Sequence, residues 1–137
     1  MTNYLLMGFL MLFISFSSAR KENIAIDGNA SATNTEIPLN HGEKWKANKE
    51  TNESILKMIA ITKAEMNAKS FEAEEVKTAL LTELESLLKN CTMEGMARVY
   101  LKKYLVGFGY RMNAIINHKS TLKEVLEYLE TYNTYFE

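Results

Sequence analysis

The chain has 137 residues, of which 16 are Lys or Arg and 17 are Asp or Glu. Because the two signs nearly cancel and no basic stripe or acidic tail is present, the composition argues against a nucleic-acid-binding protein. Cys91 is the only cysteine. No disulfide within the chain can therefore stabilise the fold, and packing must do so.

The first nineteen residues contain no charged side chain. The apolar stretch from Tyr4 to Phe16 has the length of the apolar region of a signal peptide and is shorter than a membrane span. Small residues follow up to Ala19, which predicts a signal peptide over residues 1–19 with cleavage after Ala19. A periplasmic or secreted protein is then expected. The alternative is an uncleaved membrane anchor, because the first basic residue, Arg20, follows the apolar stretch, which the positive-inside rule disfavours.

Residues 20–44 are rich in Asn, Thr, Ser and Ala and contain the only proline, Pro38. Neither helical nor strand periodicity is present in this segment. Such a composition predicts a disordered tether. The folded domain is then expected over residues 45–137.

Four segments with helical periodicity follow the tether, at about 48–67, 71–90, 94–116 and 122–135. Asn48, Ser70 and Thr121 precede apolar runs and are candidate N-caps. With Glu124, the last of them also fits a capping box. Because connections of about three to five residues force sequential helices to lie antiparallel, we predict an all-α, up-down-up-down four-helix bundle.

The apolar stripes of these segments predict which side chains form the core. Leu84 of the second helix and Leu126 of the fourth lie on such stripes. The third stripe begins at Met96, and Gly107 and Gly109 fall inside that helix. Each glycine costs about 1 kcal/mol against alanine in a helix interior, so a bend or a close helix contact is expected there.

The sequence contains no recognisable catalytic constellation. It has two histidines, His41 in the tether and His118 before the fourth helix, which cannot supply the paired Glu-x-x-His motifs of di-iron bundles. A Gly-rich phosphate loop, a Ser-His-Asp set and a haem-attachment motif are all missing from the sequence. We therefore expect no catalytic residues, no enzymatic activity and no bound cofactor.

The alternative interpretation is a soft-metal or haem-binding bundle. Cys91 and Met93 are close in sequence, and thiolate and thioether sulfurs suit Cu(I) or haem iron. His118 is the histidine expected nearest to the bundle, so the candidate ligands are Cys91, Met93 and His118. Methionines at helical spacing more often fill gaps in a core, which keeps the metal site an alternative.

Tyrosines cluster near the end of the chain. Tyr128, Tyr132 and Tyr135 are spaced by four and three residues and share a helix face, with Phe136 beside them. They fit either an aromatic cap at one end of the bundle or a contact surface for another protein, since tyrosine favours sites that are apolar at one end and wet at the other.

Two short motifs carry a family resemblance. The first, WKANKET, runs from Trp45 to Thr51, and the second, NCTMEGMA, runs from Asn90 to Ala97. Together with the aromatic C-terminal helix, they resemble a largely uncharacterised group of small exported bacterial helical-bundle proteins, chiefly from Bacteroidetes-type organisms. The resemblance implies an exported helical protein.

One position pair departs from that group. Its members carry two histidines, four residues apart, just after the second motif, whereas this chain has Arg98 and Lys102 there. Both are cations without a usable lone pair at neutral pH. If the group binds a metal at these positions, the resemblance implies that this chain has lost that site and keeps only Cys91 and Met93.

These observations together predict an exported, non-enzymatic binding or accessory protein. Its partner would be an unknown protein or small ligand, with membrane contact only if the signal segment is retained. A third interpretation is a eukaryotic secreted helical ligand, because Asn29, Asn52 and Asn90 each begin a glycosylation triplet. The short loops disagree with it, since cytokine bundles need long crossover connections.

Overall fold

The computed structural model describes residues 36–137. Four helices and a final single turn follow in chain order: α1 (Lys49–Asn67), α2 (Ala73–Asn90), α3 (Gly95–Asn113), α4 (Ser120–Glu130) and α5 (Tyr132–Tyr135). No strand occurs between residues 36 and 137, which confirms the all-α prediction. The predicted signal peptide and residues 20–35 of the predicted tether lie outside the described residues. Within the described part, every helix is too short or too polar to cross a membrane.

Contacts between helix ends fix the relative directions of the helices. The start of α1 lies against the end of α2, where the Asn48 side-chain amide donates to the carbonyl oxygen of Asn90 at 3.2 Å. The end of α1 lies against the start of α4, where the Lys119 ammonium donates to the carbonyl oxygens of Met66 and Ala68. Helix α1 therefore runs antiparallel to both α2 and α4. Lys119 also places a positive charge at the negative end of the α1 dipole.

The cap of α2 comes from a distant part of the chain. The helix begins at Ala73, whose backbone N–H donates to the Asn117 side-chain oxygen at 3.0 Å. Ser70, the predicted cap, lies outside the helix. Asn117 follows α3, so the start of α2 lies beside the end of α3, and these two helices are antiparallel as well. Because this cap comes from a residue 44 positions away, no local sequence pattern could predict it.

The start of α4 also differs from the predicted capping box. The helix begins at Ser120, one residue before the predicted cap. The Thr121 hydroxyl donates to the carbonyl oxygen of His118 at 2.7 Å instead of accepting from a helix N–H. Because Thr121 already lies inside the helix, its hydroxyl bonds backward, as Ser and Thr commonly do there. The prediction of a Thr121–Glu124 capping box is therefore wrong.

The predicted fourth helix is interrupted at Thr131, which separates α4 from α5. A continuous helix would place the Tyr132 N–H on the carbonyl oxygen of Tyr128. That oxygen instead accepts the backbone N–H of Thr131 at 3.0 Å, the Thr131 hydroxyl at 2.6 Å and the Tyr104 hydroxyl at 2.8 Å. A tighter backbone bond and two side-chain donors thus replace the regular helical bond where α4 ends.

The segment before α1 belongs to the folded part of the chain. Ile37, which the sequence placed in the tether, is only 3% exposed. The Trp45 indole N–H donates to the carbonyl oxygen of Pro38 at 2.7 Å. The prediction of a disordered tether missed this buried side chain, because it used the overall polar composition of residues 20–44, which does not show where a single apolar residue lies.

The last residues of the chain pair with the same segment. The backbone N–H of Trp45 donates to the Tyr135 carbonyl oxygen at 2.8 Å, and the N–H of Glu137 donates to the Trp45 carbonyl oxygen at 3.0 Å. The N–H of Ala47 then donates to the Glu137 carbonyl oxygen at 2.8 Å. These bonds form an isolated parallel β-bridge between Trp45 and Phe136 and hold the end of α5 beside the entry to α1.

One core collects apolar side chains from all four helices and from α5. Its largest fully buried members are Tyr104, Phe108, Phe136, Ile55, Met58, Leu80, Leu87, Leu101, Ile115, Leu122, Leu129 and Val76. Leu84 and Leu126, which the stripes placed in the core, are only half-buried. They lie at the edges of their stripes, where a helix face turns toward solvent.

The burial pattern of α4 predicts a difference between two leucines. Leu129→Ala removes a fully buried side chain and should lower the free energy of unfolding by about 2–5 kcal/mol. Leu126→Ala should cost less than half as much, because the half-buried side chain already has contact with water. Urea denaturation midpoints of the two variants would test this, and equal losses would contradict the assigned helix face.

The glycines of α3 predict opposite effects of the same substitution. At Gly109, an added Cβ would meet no atom within 4 Å, so Gly109→Ala should stabilise the protein by about 0.4–1 kcal/mol. Gly95 has φ +59°, a conformation that costs an L-residue about 1–2 kcal/mol. Gly95→Ala should therefore destabilise the protein, and thermal unfolding of both variants would reveal whether the signs differ.

Candidate functional site

The structure does not bring the three predicted metal ligands together. Cys91 and Met93 lie in the connection between α2 and α3, and His118 lies in the connection between α3 and α4. These connections are at opposite ends of α2, whose 18 residues span roughly 27 Å. Across residues 36–137, no three His, Cys, Asp or Glu side chains come close enough to bind a metal together.

The surroundings of the three residues are those of structural side chains. Met93 is buried at 5% exposure and Cys91 is half-buried, so both pack against the core. The His118 ring is exposed, and its Nδ1 lies 2.6 Å from the Ser120 hydroxyl oxygen. Cys91 and Met93 therefore lie in one loop, and His118 lies in another.

The C-terminal tyrosines form part of the core. Tyr132 is 2% exposed and Phe136 is fully buried, and their rings stack with centroids 4.9 Å apart. Tyr104 of α3 stacks on Tyr128 at 4.8 Å. This arrangement fits the aromatic end-cap interpretation, because the rings face one another and leave little surface for a partner.

Reciprocal hydrogen bonds join α3 and α4 at this cluster. The Tyr104 hydroxyl donates to the carbonyl oxygens of Tyr128 and Leu129, and the Tyr128 hydroxyl donates back to the Tyr104 carbonyl oxygen at 2.7 Å. The Arg111 guanidinium covers the Tyr128 ring at 4.0 Å from its centroid. Burial raises the pKa of both the Tyr104 and the Tyr132 hydroxyl above the usual value for tyrosine.

The most distinctive surface of the molecule lies on the opposite side of α3. Four apolar side chains there are between 51% and 71% exposed, and we name them the outer stripe of α3: Met96, Val99, Val106 and Tyr110. They are spaced by three, seven and four residues, so they fall on one helix face, with Lys103 filling the gap. The sequence assigned Met96 to the buried stripe and gave the other three no role.

The outer stripe lies on a helix that carries only positive charge. Helix α3 contains no Asp or Glu, and its cations are Arg98, Lys102, Lys103 and Arg111. None of the ion pairs within residues 36–137 includes any of these four side chains. Arg98 and Lys102 are both exposed cations on this helix.

A small cleft lies on another side of the molecule, between α1 and α5. It encloses about 190 Å³ and is lined by Asn52, Ile55, Leu56, Ile59, Tyr132, Asn133 and Glu137. Ligand pockets for drug-sized molecules usually hold about 300–1,000 Å³. The Tyr132 hydroxyl already donates to the Asn52 side-chain oxygen at 2.7 Å. This cleft is therefore a weaker candidate than the outer stripe.

Comparison of the chain with protein-family models, curated proteins and solved structures gives no match.

The buried tyrosines predict how the protein responds to alkaline pH. In the unfolded chain, tyrosine ionises near pH 10, whereas burial holds the Tyr104 and Tyr132 hydroxyls protonated in the fold. The resulting stability is fully present below about pH 10 and is lost as the pH rises above it. In tyrosinate absorbance, Tyr104 and Tyr132 should ionise only with unfolding, and Tyr104→Phe should remove one of these late-ionising groups. Normal titration of all tyrosines in the folded protein would contradict the buried cluster.

Proposed function

We propose that the protein is an exported, non-enzymatic binding protein, built as an up-down-up-down four-helix bundle, and that the outer stripe of α3 contacts its partner. The export part rests on the uncharged first nineteen residues. The bundle topology is supported by the antiparallel contacts of α1 with α2, of α2 with α3 and of α1 with α4.

The observation that carries the proposal is the exposed outer stripe on a helix without acidic residues. Isolated exposed apolar residues are ordinary, but an apolar row along one helix face marks a contact site. Val106 and Tyr110, at 58% and 71% exposure, lie one turn apart on this row. A helix partner could lie along it, since the spacing of three and four residues is that of helix-on-helix packing.

The charges around the stripe indicate the chemistry of the partner. Lys103 lies within the row and Lys102 lies beside it, and no acidic side chain of α3 offsets them. An acidic protein surface would gain Coulomb attraction as it approached, whereas a basic one would be repelled. The partner is therefore an acidic, helical protein surface.

Site-specific photo-crosslinking in cells that produce the protein would test the surface. A photoreactive amino acid at Val99 or Val106 should give a discrete protein–protein adduct, identified by mass spectrometry. The same residue at Ala60, an exposed position of α1, is the matched control and should give none. Equal crosslinking at all three positions, or adducts at Ala60 alone, would contradict the proposal.

A further inference from the structure

A second exposed row lies on α2, the neighbour of α3. Its members are Glu74, Thr78, Leu81, Glu85 and Leu88, all of them exposed, and we name them the acidic flank of α2. Their spacing of four and three residues places them on one helix face. Leu81 and Leu88, at 45% and 50% exposure, are one heptad apart and give the acidic flank an apolar centre line.

The acidic flank of α2 and the outer stripe of α3 are complementary in charge. Helix α2 carries four glutamates and two lysines, whereas α3 carries four cations and no acid. Among the described residues, no ion pair joins α2 to α3. On α2, Glu74 pairs with Lys77 and Glu83 pairs with Lys57. Glu85 and the four cations of α3 are in none of the ion pairs of the described residues, so these charges are left for a partner outside the same copy.

The two rows also match in length and in height along the molecule. The first and last members of each row are fourteen positions apart, which is about 21 Å of helix. Because α2 and α3 are antiparallel and joined by the short connection 91–94, Leu88 and Met96 lie near one end of the pair. Glu74 and Tyr110 lie near the other end.

A two-fold rotation would place each row opposite the complementary row of a second copy. If a second copy is turned by 180° about an axis parallel to the helices, its α2 faces α3 of the first copy and its α3 faces α2. The facing helices run antiparallel, and residues at equal heights meet: Leu88 approaches Met96 of the second copy, and Glu85 approaches Lys102. A C2 interface of this kind is closed, since each copy uses the same surface.

We propose that the occupant of the outer stripe of α3 is the acidic flank of α2 of a second copy of this chain, in a two-fold symmetric dimer. The inference rests on the proposed function, because it names the partner of the same surface. A patch two helices wide and about 21 Å long is at the small end of specific interfaces. The dimer is therefore reversible, and its population rises with protein concentration and falls with added salt.

Charge reversal on the two rows gives a specific test by sedimentation velocity. Lys102→Glu places glutamate opposite Glu85, and Glu85→Lys places lysine opposite Lys102, so each variant alone should be monomeric at concentrations where the unchanged protein dimerises. An equimolar mixture should dimerise again. In the mixed pair, one contact keeps the original charges and the other has both reversed, so both are attractive.

Glu124→Lys, an exposed position of α4, is the matched control and should dimerise like the unchanged protein. Circular dichroism of each variant separates loss of association from loss of fold. If the unchanged protein stays monomeric at every concentration, or the mixture fails to restore the dimer, the self-association proposal is wrong. Should crosslinks at Val106 to a different protein persist in that case, the proposed binding surface would stand and only its occupant would change.

Discussion

The buried hydroxyl of Tyr104 is the constraint on which most of the C-terminal half depends. A hydroxyl taken from water without a partner costs about 1–3 kcal/mol, and Tyr104 meets this demand through the carbonyl oxygens of Tyr128 and Leu129. Those oxygens belong to the last turn of α4. The Tyr128 oxygen accepts the Tyr104 hydroxyl together with the hydroxyl and the backbone N–H of Thr131. These donors replace the regular helical donor, so α4 ends and α5 begins.

Through α5, the hydrogen bonds of Tyr104 also affect both ends of the folded part. The turn of α5 buries Tyr132 and Phe136 against Tyr104 and directs the last residues to the backbone of Trp45. Trp45 in turn holds the segment around Ile37 against the core. The chain has one cysteine, so these backbone and aromatic contacts hold the two ends of the folded part together without an internal disulfide.

Periodicity predicted the four helices and most of their buried faces, because burial of one face imposes a regular spacing on apolar residues. The helix ends were harder to predict. The cap of α2 comes from Asn117, and the break after α4 involves Tyr104 as well as the local Thr131. Asn117 and Tyr104 are both distant in the sequence from the helix ends that they contact. For the same reason, the sequence could not reveal that Cys91 and His118 lie at opposite ends of α2.

Helix α3 shows why the periodicity of apolar residues did not predict the candidate site. Its inner face carries Leu101, Tyr104, Leu105 and Phe108, and its outer face carries Met96, Val99, Val106 and Tyr110. A helix that is apolar on both faces is expected to be buried on both, yet only one face of α3 is covered within a single copy. The aromatic cluster covers the inner face. The outer face carries Lys103 within its apolar row and Lys102 beside it, and α3 has no acidic residue. Covering the outer face therefore requires a surface with apolar side chains at the same spacing and with the opposite charge, and α2 carries such a surface at the same height.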